Sequence, residues 1–133
     1  MNRAHVLIIE DVADIRDTLR DVLELSGYRV RTAENGEVGL RMIAEPDLPC
    51  LILLDLMMPV LDGWQVLEAL RGAQAAVLAG IPVIVLSGVA DDAEVDNLQR
   101  RFGCKVMRKP ADLDRLLEAV EDECARGRAL ESE

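Results

Sequence analysis

The chain has 133 residues, half of them hydrophobic and only 2% aromatic, so we expect one folded domain with an aliphatic core and not a disordered protein. Its net charge of −10 would repel a nucleic-acid backbone, so we expect no direct nucleic-acid binding. No apolar run reaches the roughly 20 residues of a membrane span, and no signal peptide follows Met1, which favours a cytoplasmic protein without membrane contact.

Five short strand-like segments alternate along the chain with five segments whose apolar residues recur at helical spacing. Three of the strand-like segments, at 5–9, 50–54 and 81–86, are apolar runs. Turn residues such as Gly27 and Pro46 separate the two kinds of segment. We predict strands at 5–9, 28–32, 50–54, 81–86 and 105–108. We predict helices at 14–26, through 38 to 46, at 64–70, at 91–102 and from about 112, with 72–80 ambiguous between helix and loop.

The predicted third strand carries the most informative residue of the chain. Cys50 to Leu54 is entirely apolar, which is typical of a strand buried on both faces of a parallel sheet. Asp55 then ends the run, just before the turn residues Pro59 and Asp62-Gly63. A carboxylate at this place lies at the mouth of the core, where open α/β sheets bind their ligands.

The alternation of strands and helices predicts an α/β fold, a doubly wound (βα)5 arrangement around a parallel sheet. We assign the strand order 2-1-3-4-5 from the fold class, which makes strands 1 and 3 neighbours. The alternating residues 28–32 suit a strand near the sheet edge. We expect one domain over 1–126, followed by a short polar tail at 127–133 that frays.

The cysteines and three apolar residues give further expectations about the core. Cys50, Cys104 and Cys124 are odd in number, lack metal-ligand spacing and have apolar neighbours, so we predict buried free thiols in a reducing compartment. Helical spacing also places three large apolar side chains inward. These are Phe102, Leu113 and Val120.

Polar residues end four of the predicted strands, and the assumed strand order brings them to one crevice. Three of them are carboxylates, which repel one another and need a cation; hard oxygen ligands suit Mg²⁺. A lysine and a serine add a positive charge and a hydroxyl donor, which suit a tetrahedral anion. The central aspartate could then attack phosphorus and form an aspartyl phosphate. The residues are Glu10, Asp11, Asp55, Ser87 and Lys109.

Together with their neighbours, these residues resemble the receiver domain of two-component response regulators, which has a flavodoxin-like fold. The resemblance covers about 4–126. The matching features are the acid pair Glu10-Asp11, Leu-Leu-Asp-Leu-Met-Met-Pro at 53–59, Asp62-Gly63, Ser87-Gly88 and Lys109-Pro110.

The resemblance implies a phosphoacceptor and not an enzyme with turnover. We expect a stand-alone receiver, because no output domain follows the last predicted helix. Asp55 would accept a phosphoryl group from a sensor histidine kinase or a histidine phosphotransfer protein, and the protein would signal to a downstream effector protein or relay the phosphate. Glu10, Asp11, Asp55 and the main-chain carbonyl of Met57 would bind Mg²⁺. Ser87 and Lys109 would hold the phosphoryl oxygens, the Lys109-Pro110 bond would be cis, and the protein would be a monomer or a phosphorylation-dependent dimer.

One departure from the family pattern keeps an alternative open. The family usually carries Tyr or Phe where this chain has Val106, which favours, as an alternative, a receiver-like interaction module that is not phosphorylated. Two other classes fit poorly. Haloacid-dehalogenase-like phosphatases need a second Asp where Met57 stands, and an FMN site needs a hydroxyl-rich loop in place of the acidic residues 10–14.

Overall fold

The computed structural model of the protein describes residues 5–45, 47–56, 62–73, 79–88, 91–109 and 112–131. Two expectations lie outside these residues. They are the main-chain carbonyl of Met57 and the cis bond to Pro110.

Five parallel strands form one sheet within the described residues, in the order β2-β1-β3-β4-β5. This arrangement confirms the predicted fold class and strand order, and it places the alternating strand at one edge. The strands are β1 (His5–Ile9), β2 (Arg29–Ala33), β3 (Leu51–Asp55), β4 (Val83–Ser87) and β5 (Lys105–Arg108). The helices described are α1 (Ala13–Leu25), α2 (Gly36–Ile43), α3 (Gly63–Arg71), α4 (Asp92–Phe102) and α5 (Leu113–Glu131).

Helices cover both faces of the sheet, which explains why the central strands are apolar at every position. Alternate strand residues point to opposite faces, so Leu54 packs with α2, α3 and α4 while Leu53 packs with α1 and α5. β1, β3 and β4 are buried along their whole length. The carboxyl ends of these strands therefore open onto a water-poor rim, where a polar side chain meets few competing water molecules.

Sequence signals at the helix ends explain where α3 and α4 begin and stop. Asp62 and Asp91 each accept a hydrogen bond from the main-chain N–H three residues on, and each forms a reciprocal capping box. Gly103 ends α4 in the left-handed conformation with φ of 64°, which glycine adopts without steric cost.

Arg71 ties the end of α3 to two other parts of the chain. Its guanidinium donates hydrogen bonds to the carbonyls of Phe102, Ala79 and Ile81 over 2.7–2.9 Å. Burial lowers the pKa of Arg71. These contacts fix the start of β4 even though the sequence left 72–80 ambiguous.

Two expectations about α5 are wrong. Leu113 is 45% exposed because it opens the helix above the carboxyl ends of the strands, whereas Val120 and Phe102 are buried as predicted. The helix also continues to Glu131, past the residue where we expected the chain to fray. Arg, Ala, Leu and Glu at 128–131 are good helix formers, which accounts for the extension.

The prediction of three free thiols is also wrong, because Cys50 and Cys124 form a disulfide. Their Cα atoms lie 4.9 Å apart although 74 residues separate them in sequence. The bond joins the residue before β3 to the buried face of α5. Cys104 is a buried free thiol, as expected, and burial raises its pKa.

Candidate functional site

The strand register brings the polar strand ends to one place on the sheet. Ile9 pairs with Leu54 between β1 and β3, so the residues that follow them, Glu10 and Asp55, lie side by side. Across β4, Ser87 pairs with Arg108, which places the next residue along β5 beside the same crevice. This is the switch point of the doubly wound sheet, where crossovers leave in opposite directions.

Three carboxylates meet at this switch point. One carboxylate oxygen from each of Glu10, Asp11 and Asp55 lies within 4.8 Å of the others. Glu10 is 1% exposed and Asp55 is 5% exposed, so water screens their repulsion poorly. Oxygen ligands from carboxylates are the donors that Mg²⁺ binds in proteins, so the residues present fit a divalent cation.

Lys109 reaches into the carboxylate cluster from the end of β5. Its Nζ donates to Glu10 Oε1 at 2.8 Å and lies 3.3 Å from Asp55 Oδ1. Burial works to lower the pKa of Lys109, but the hydrogen bond to Glu10 and the negative charges of Asp55 and Glu10 outweigh it and raise the pKa. Lys109 is therefore a fixed positive charge at neutral pH.

The environment of Asp55 disfavours its charged form. Burial, reinforced by the negative charge of Glu10, raises its pKa from 3.8 to about 7 although Lys109 opposes the change. Without a divalent cation, Asp55 is therefore close to half-protonated at neutral pH. A cation bound by the carboxylates would favour the ionised form, which is the nucleophilic one.

Replacing Asp55 with asparagine is expected to stabilise the metal-free protein in a pH-dependent way. The pKa of Asp55 is higher in the folded protein than in the unfolded chain, so ionisation of Asp55 lowers the free energy of unfolding. The full loss is present above pH 7, and it disappears as the pH falls towards 4. Each pKa unit corresponds to about 1.4 kcal/mol, and screening reduces the total, so we expect Asp55→Asn to gain about 2 kcal/mol at pH 8.

Urea unfolding in EDTA at pH 8, 6 and 4 measures this gain. The exposed Asp21→Asn on α1 serves as the control, with no expected change. A gain for Asp55→Asn that stays constant from pH 8 to pH 4 contradicts the assignment of the raised pKa.

Gly63 lets α3 start directly against the end of β3. Its N–H donates to the carbonyl of Leu56 at 2.9 Å. A Cβ at this position would lie 2.7 Å from Leu56 Cα and 2.9 Å from the Asp55 carbonyl oxygen, both main-chain atoms that cannot move aside easily. The sequence marked Asp62-Gly63 only as a turn, so this close approach was missed.

Ser87 ends β4 on the strand next to Asp55. Its side chain is buried, and its carbonyl accepts a hydrogen bond from the Lys109 N–H at 2.8 Å. Glu10, Asp11, Asp55, Ser87 and Lys109 therefore surround one crevice, whereas Met57 lies outside the described residues.

Sequence reasoning also missed Arg16. Arg16 lies near the start of α1, and its Nη1 donates a hydrogen bond of 2.9 Å to the main-chain carbonyl oxygen of Glu10. The sequence shows only a basic residue six positions after Glu10, and basic residues at such positions are common on exposed helices.

Val106 is half-buried and packs against the core cluster that lies under α2, α3 and α4. Phe102 is buried edge-on against Trp64, with ring centroids 6.1 Å apart. Phe102 is therefore a core residue, and it does not stand in for the aromatic residue that the family usually has at the position of Val106.

An apolar groove lies beside the carboxylates, between α1 and α5. Its volume is about 440 Å³. Its lining consists of Asp14, Ile15, Thr18, Leu19, Leu86, Lys109 and Leu113. Among the described residues, no helix combines the length and apolar composition that crossing a bilayer requires.

Two solved receiver domains superpose closely on this chain. A response regulator receiver domain protein from Clostridium thermocellum superposes with a TM-score of 0.84 and 26% identity, over 96% of this chain and 98% of that one. The signal receiver domain of a histidine kinase from Syntrophus aciditrophicus superposes with a TM-score of 0.80 and 28% identity. The match covers 92% of this chain and 90% of that one.

Similar curated proteins are named as regulators of transcription. The chain is 38% identical over 86 residues to probable transcriptional regulator ycf27 of Porphyra purpurea, and 39% identical over 90 residues to transcriptional regulatory protein AfsQ1 of Streptomyces coelicolor. These matches cover 65% and 68% of this chain but 33% and 37% of those proteins, so the chain spans about a third of their length. A family model described as the response regulator receiver domain matches residues 6–121, and the chain therefore belongs to that family.

Proposed function

We propose that the protein is a phosphorylation-controlled receiver whose phosphoacceptor is Asp55. The phosphoryl donor is a phosphohistidine of a sensor histidine kinase or a histidine phosphotransfer protein. The observation that carries this proposal is the meeting of three carboxylates and Lys109 at one end of the sheet. This set provides a nucleophile, ligands for a cation and a positive charge for the transferred group.

The transfer exchanges one bond to phosphorus for another. A carboxylate oxygen of Asp55 attacks phosphorus, the P–N bond to the donor imidazole breaks, and the imidazole leaves with the electron pair and takes up a proton. The product is an acyl phosphate on Asp55. The raised pKa of Asp55 makes the cation important, because only the ionised carboxylate attacks.

Glu10, Asp11 and Asp55 would hold Mg²⁺, together with the carbonyl of Met57. When bound, Mg²⁺ supplies positive charge that neutralises the developing charge on the phosphoryl oxygens. The three carboxylates fit this role because they converge within 4.8 Å and consist of hard oxygen donors.

Lys109 and Ser87 would receive the phosphoryl oxygens. Lys109 is already held above Asp55 at 3.3 Å, and Ser87 is fixed beside it by the main-chain bond from Lys109. After transfer, the phosphoryl group competes with Glu10 for the Lys109 ammonium. We propose that this exchange alters β4 and β5, and with them the binding of an effector protein or onward transfer of the phosphoryl group.

The groove between α1 and α5 would seat the phosphodonor. It is apolar at Leu86 and Leu113 and reaches Lys109 at the site itself. A donor protein that packs there brings its phosphohistidine to the open side of Asp55. The net charge of −10 repels a nucleic-acid backbone, so this chain by itself would bind nucleic acid poorly. Any role in transcription would need another protein or domain.

Labelling with a small phosphodonor tests the proposed function. We expect acetyl phosphate with Mg²⁺ to add one phosphoryl group, detected by intact mass, and we expect none in EDTA or with Asp55→Asn. Asp47→Asn, a half-exposed aspartate before β3, is the matched control and should label normally. Labelling that persists in Asp55→Asn would place the acceptor elsewhere.

A second candidate function is an interaction module that is not phosphorylated. The presence of Val106, where an aromatic ring commonly reports phosphorylation in the family, favours it. Complete absence of labelling in the unaltered, folded protein would support this alternative.

A further inference from the structure

We infer that Arg16 is a positioning residue for the acidic loop that follows β1. It sets the affinity of the site for a divalent cation without touching the cation or the phosphoryl group. This inference rests on the proposed function for the identity of the site, and it adds a residue that the acid and lysine cluster does not include.

Arg16 contacts the acidic loop at a main-chain atom. Arg16 Nη1 donates to the main-chain carbonyl of Glu10 at 2.9 Å. That carbonyl belongs to the peptide that joins Glu10 to Asp11, so its orientation sets the direction in which the Asp11 side chain leaves the main chain. A hydrogen bond to this one atom therefore acts on two of the three converging carboxylates.

Other contacts already hold the remaining polar atoms of Glu10. Its N–H donates to the carbonyl of Ala33 on β2 at 3.1 Å. Its carboxylate accepts from the Val12 N–H at 3.2 Å and from Lys109 at 2.8 Å. Arg16 supplies the contact to the Glu10 carbonyl, the atom next to Asp11.

The place of Arg16 along α1 is electrostatically unfavourable for the helix. Arg16 lies four residues into α1, where a positive charge opposes the helix dipole, while the last turn of α1 carries no basic residue. Helix stability would favour the reverse arrangement. The position is explained by the hydrogen bond to the acidic loop, because the planar fork of a guanidinium fixes the direction of such a bond.

Outer contacts that orient metal ligands are commonly worth 10- to 100-fold in metal affinity. We therefore expect Arg16→Met to raise the dissociation constant for Mg²⁺ by about tenfold, measured by titration calorimetry on the full chain. The labelling rate at saturating Mg²⁺ should be unchanged, because Asp55, Ser87 and Lys109 remain. A merely structural role would lower the unfolding temperature and leave the Mg²⁺ affinity of the folded protein intact.

Arg20→Met is the matched control. Arg20 lies one turn further along α1 and pairs with Asp17 at 3.4 Å and Asp21 at 3.8 Å on the surface. The Arg20→Met substitution removes the same charge from the same helix without altering a contact to the acidic loop. The Mg²⁺ affinity of this variant should therefore match that of the unaltered protein. Arg16→Lys keeps the charge without the fork and should recover part of the affinity.

Equal Mg²⁺ affinity of Arg16→Met and the unaltered protein overturns the inference, and so does an equal loss in Arg20→Met. If Arg16→Met does not fold, Arg16→Lys decides: weaker Mg²⁺ binding supports the inference, and unchanged binding overturns it. The proposed function fails separately, when the unaltered protein binds Mg²⁺ but accepts no phosphoryl group at Asp55.

Discussion

Replacing Lys109 with methionine is expected to lower the free energy of unfolding by about 3 kcal/mol at pH 8 in EDTA. The ammonium contacts both Glu10 and Asp55, and Glu10 is almost completely buried. Removing one partner leaves charges in a poorly solvated place, which commonly costs 3–5 kcal/mol; the 22% exposure of Lys109 reduces that figure.

The pH dependence of this loss has a defined direction. The pKa of Lys109 is raised, so the stabilisation from its charge is present below pH 10.5 and fades as the pH rises through the folded value. At acid pH the loss shrinks for a different reason, because Asp55, with its pKa of about 7, takes up a proton and no longer needs a cation. The largest deficit is therefore expected between about pH 7 and pH 10.

Urea unfolding of Lys109→Met and of the exposed Lys105→Met on the same strand measures this effect. Only the former should be strongly destabilised, and added Mg²⁺ should restore part of the loss because a cation replaces the ammonium. In a Glu10→Gln background the cost of Lys109→Met should fall. An equal cost in both backgrounds would show that the ion pair is not the cause.

Reduction of the Cys50–Cys124 disulfide is expected to lower the free energy of unfolding by roughly 4 kcal/mol. The bond spans 74 residues, so it removes a large amount of conformational freedom from the unfolded chain. The fold itself should persist, because Leu116, Ala119 and Val120 still bury α5 against the sheet. The reduced protein is thus expected to be folded but easier to unfold.

Urea unfolding with and without dithiothreitol measures the change, and thiol titration of the unfolded, unreduced protein should find one free cysteine. The double variant Cys50→Ala, Cys124→Ala should behave like the reduced protein and no longer respond to the reductant. Cys104→Ala is the control for loss of a buried thiol and should still respond. Three free thiols in the unreduced protein, or no effect of reductant, contradict the prediction.

Much of the fold could be predicted from the sequence because its signals are local. An uninterrupted apolar run such as 50–54 is compatible with few arrangements other than a buried parallel strand. Acids and a lysine that directly follow predicted strands must come to the same edge once the strands are parallel. The convergence of Asp55 and Lys109 therefore needed only strand identity and strand order.

The features that sequence reasoning missed depend on three-dimensional packing that the local residue pattern does not encode. Cys50 and Cys124 meet because α5 crosses the face of β3, and no spacing rule encodes a crossing. Leu113 has the spacing of a core residue, but it lies beyond the ends of the strands, where the core stops. Arg16 acts on a main-chain carbonyl, which every residue carries, so its partner leaves no mark in the sequence.

The contact between Glu10 and Lys109 joins residues that are 99 positions apart. During synthesis on the ribosome, the acids of β1 and β3 emerge long before β5. A nascent chain that carries Asp55 still lacks the ammonium that balances it, and the crevice is complete only when β5 has emerged and paired with β4. The charge balance of the crevice is thus tied to translation beyond β5, so products truncated before residue 109 would carry the acids without the ammonium that balances them.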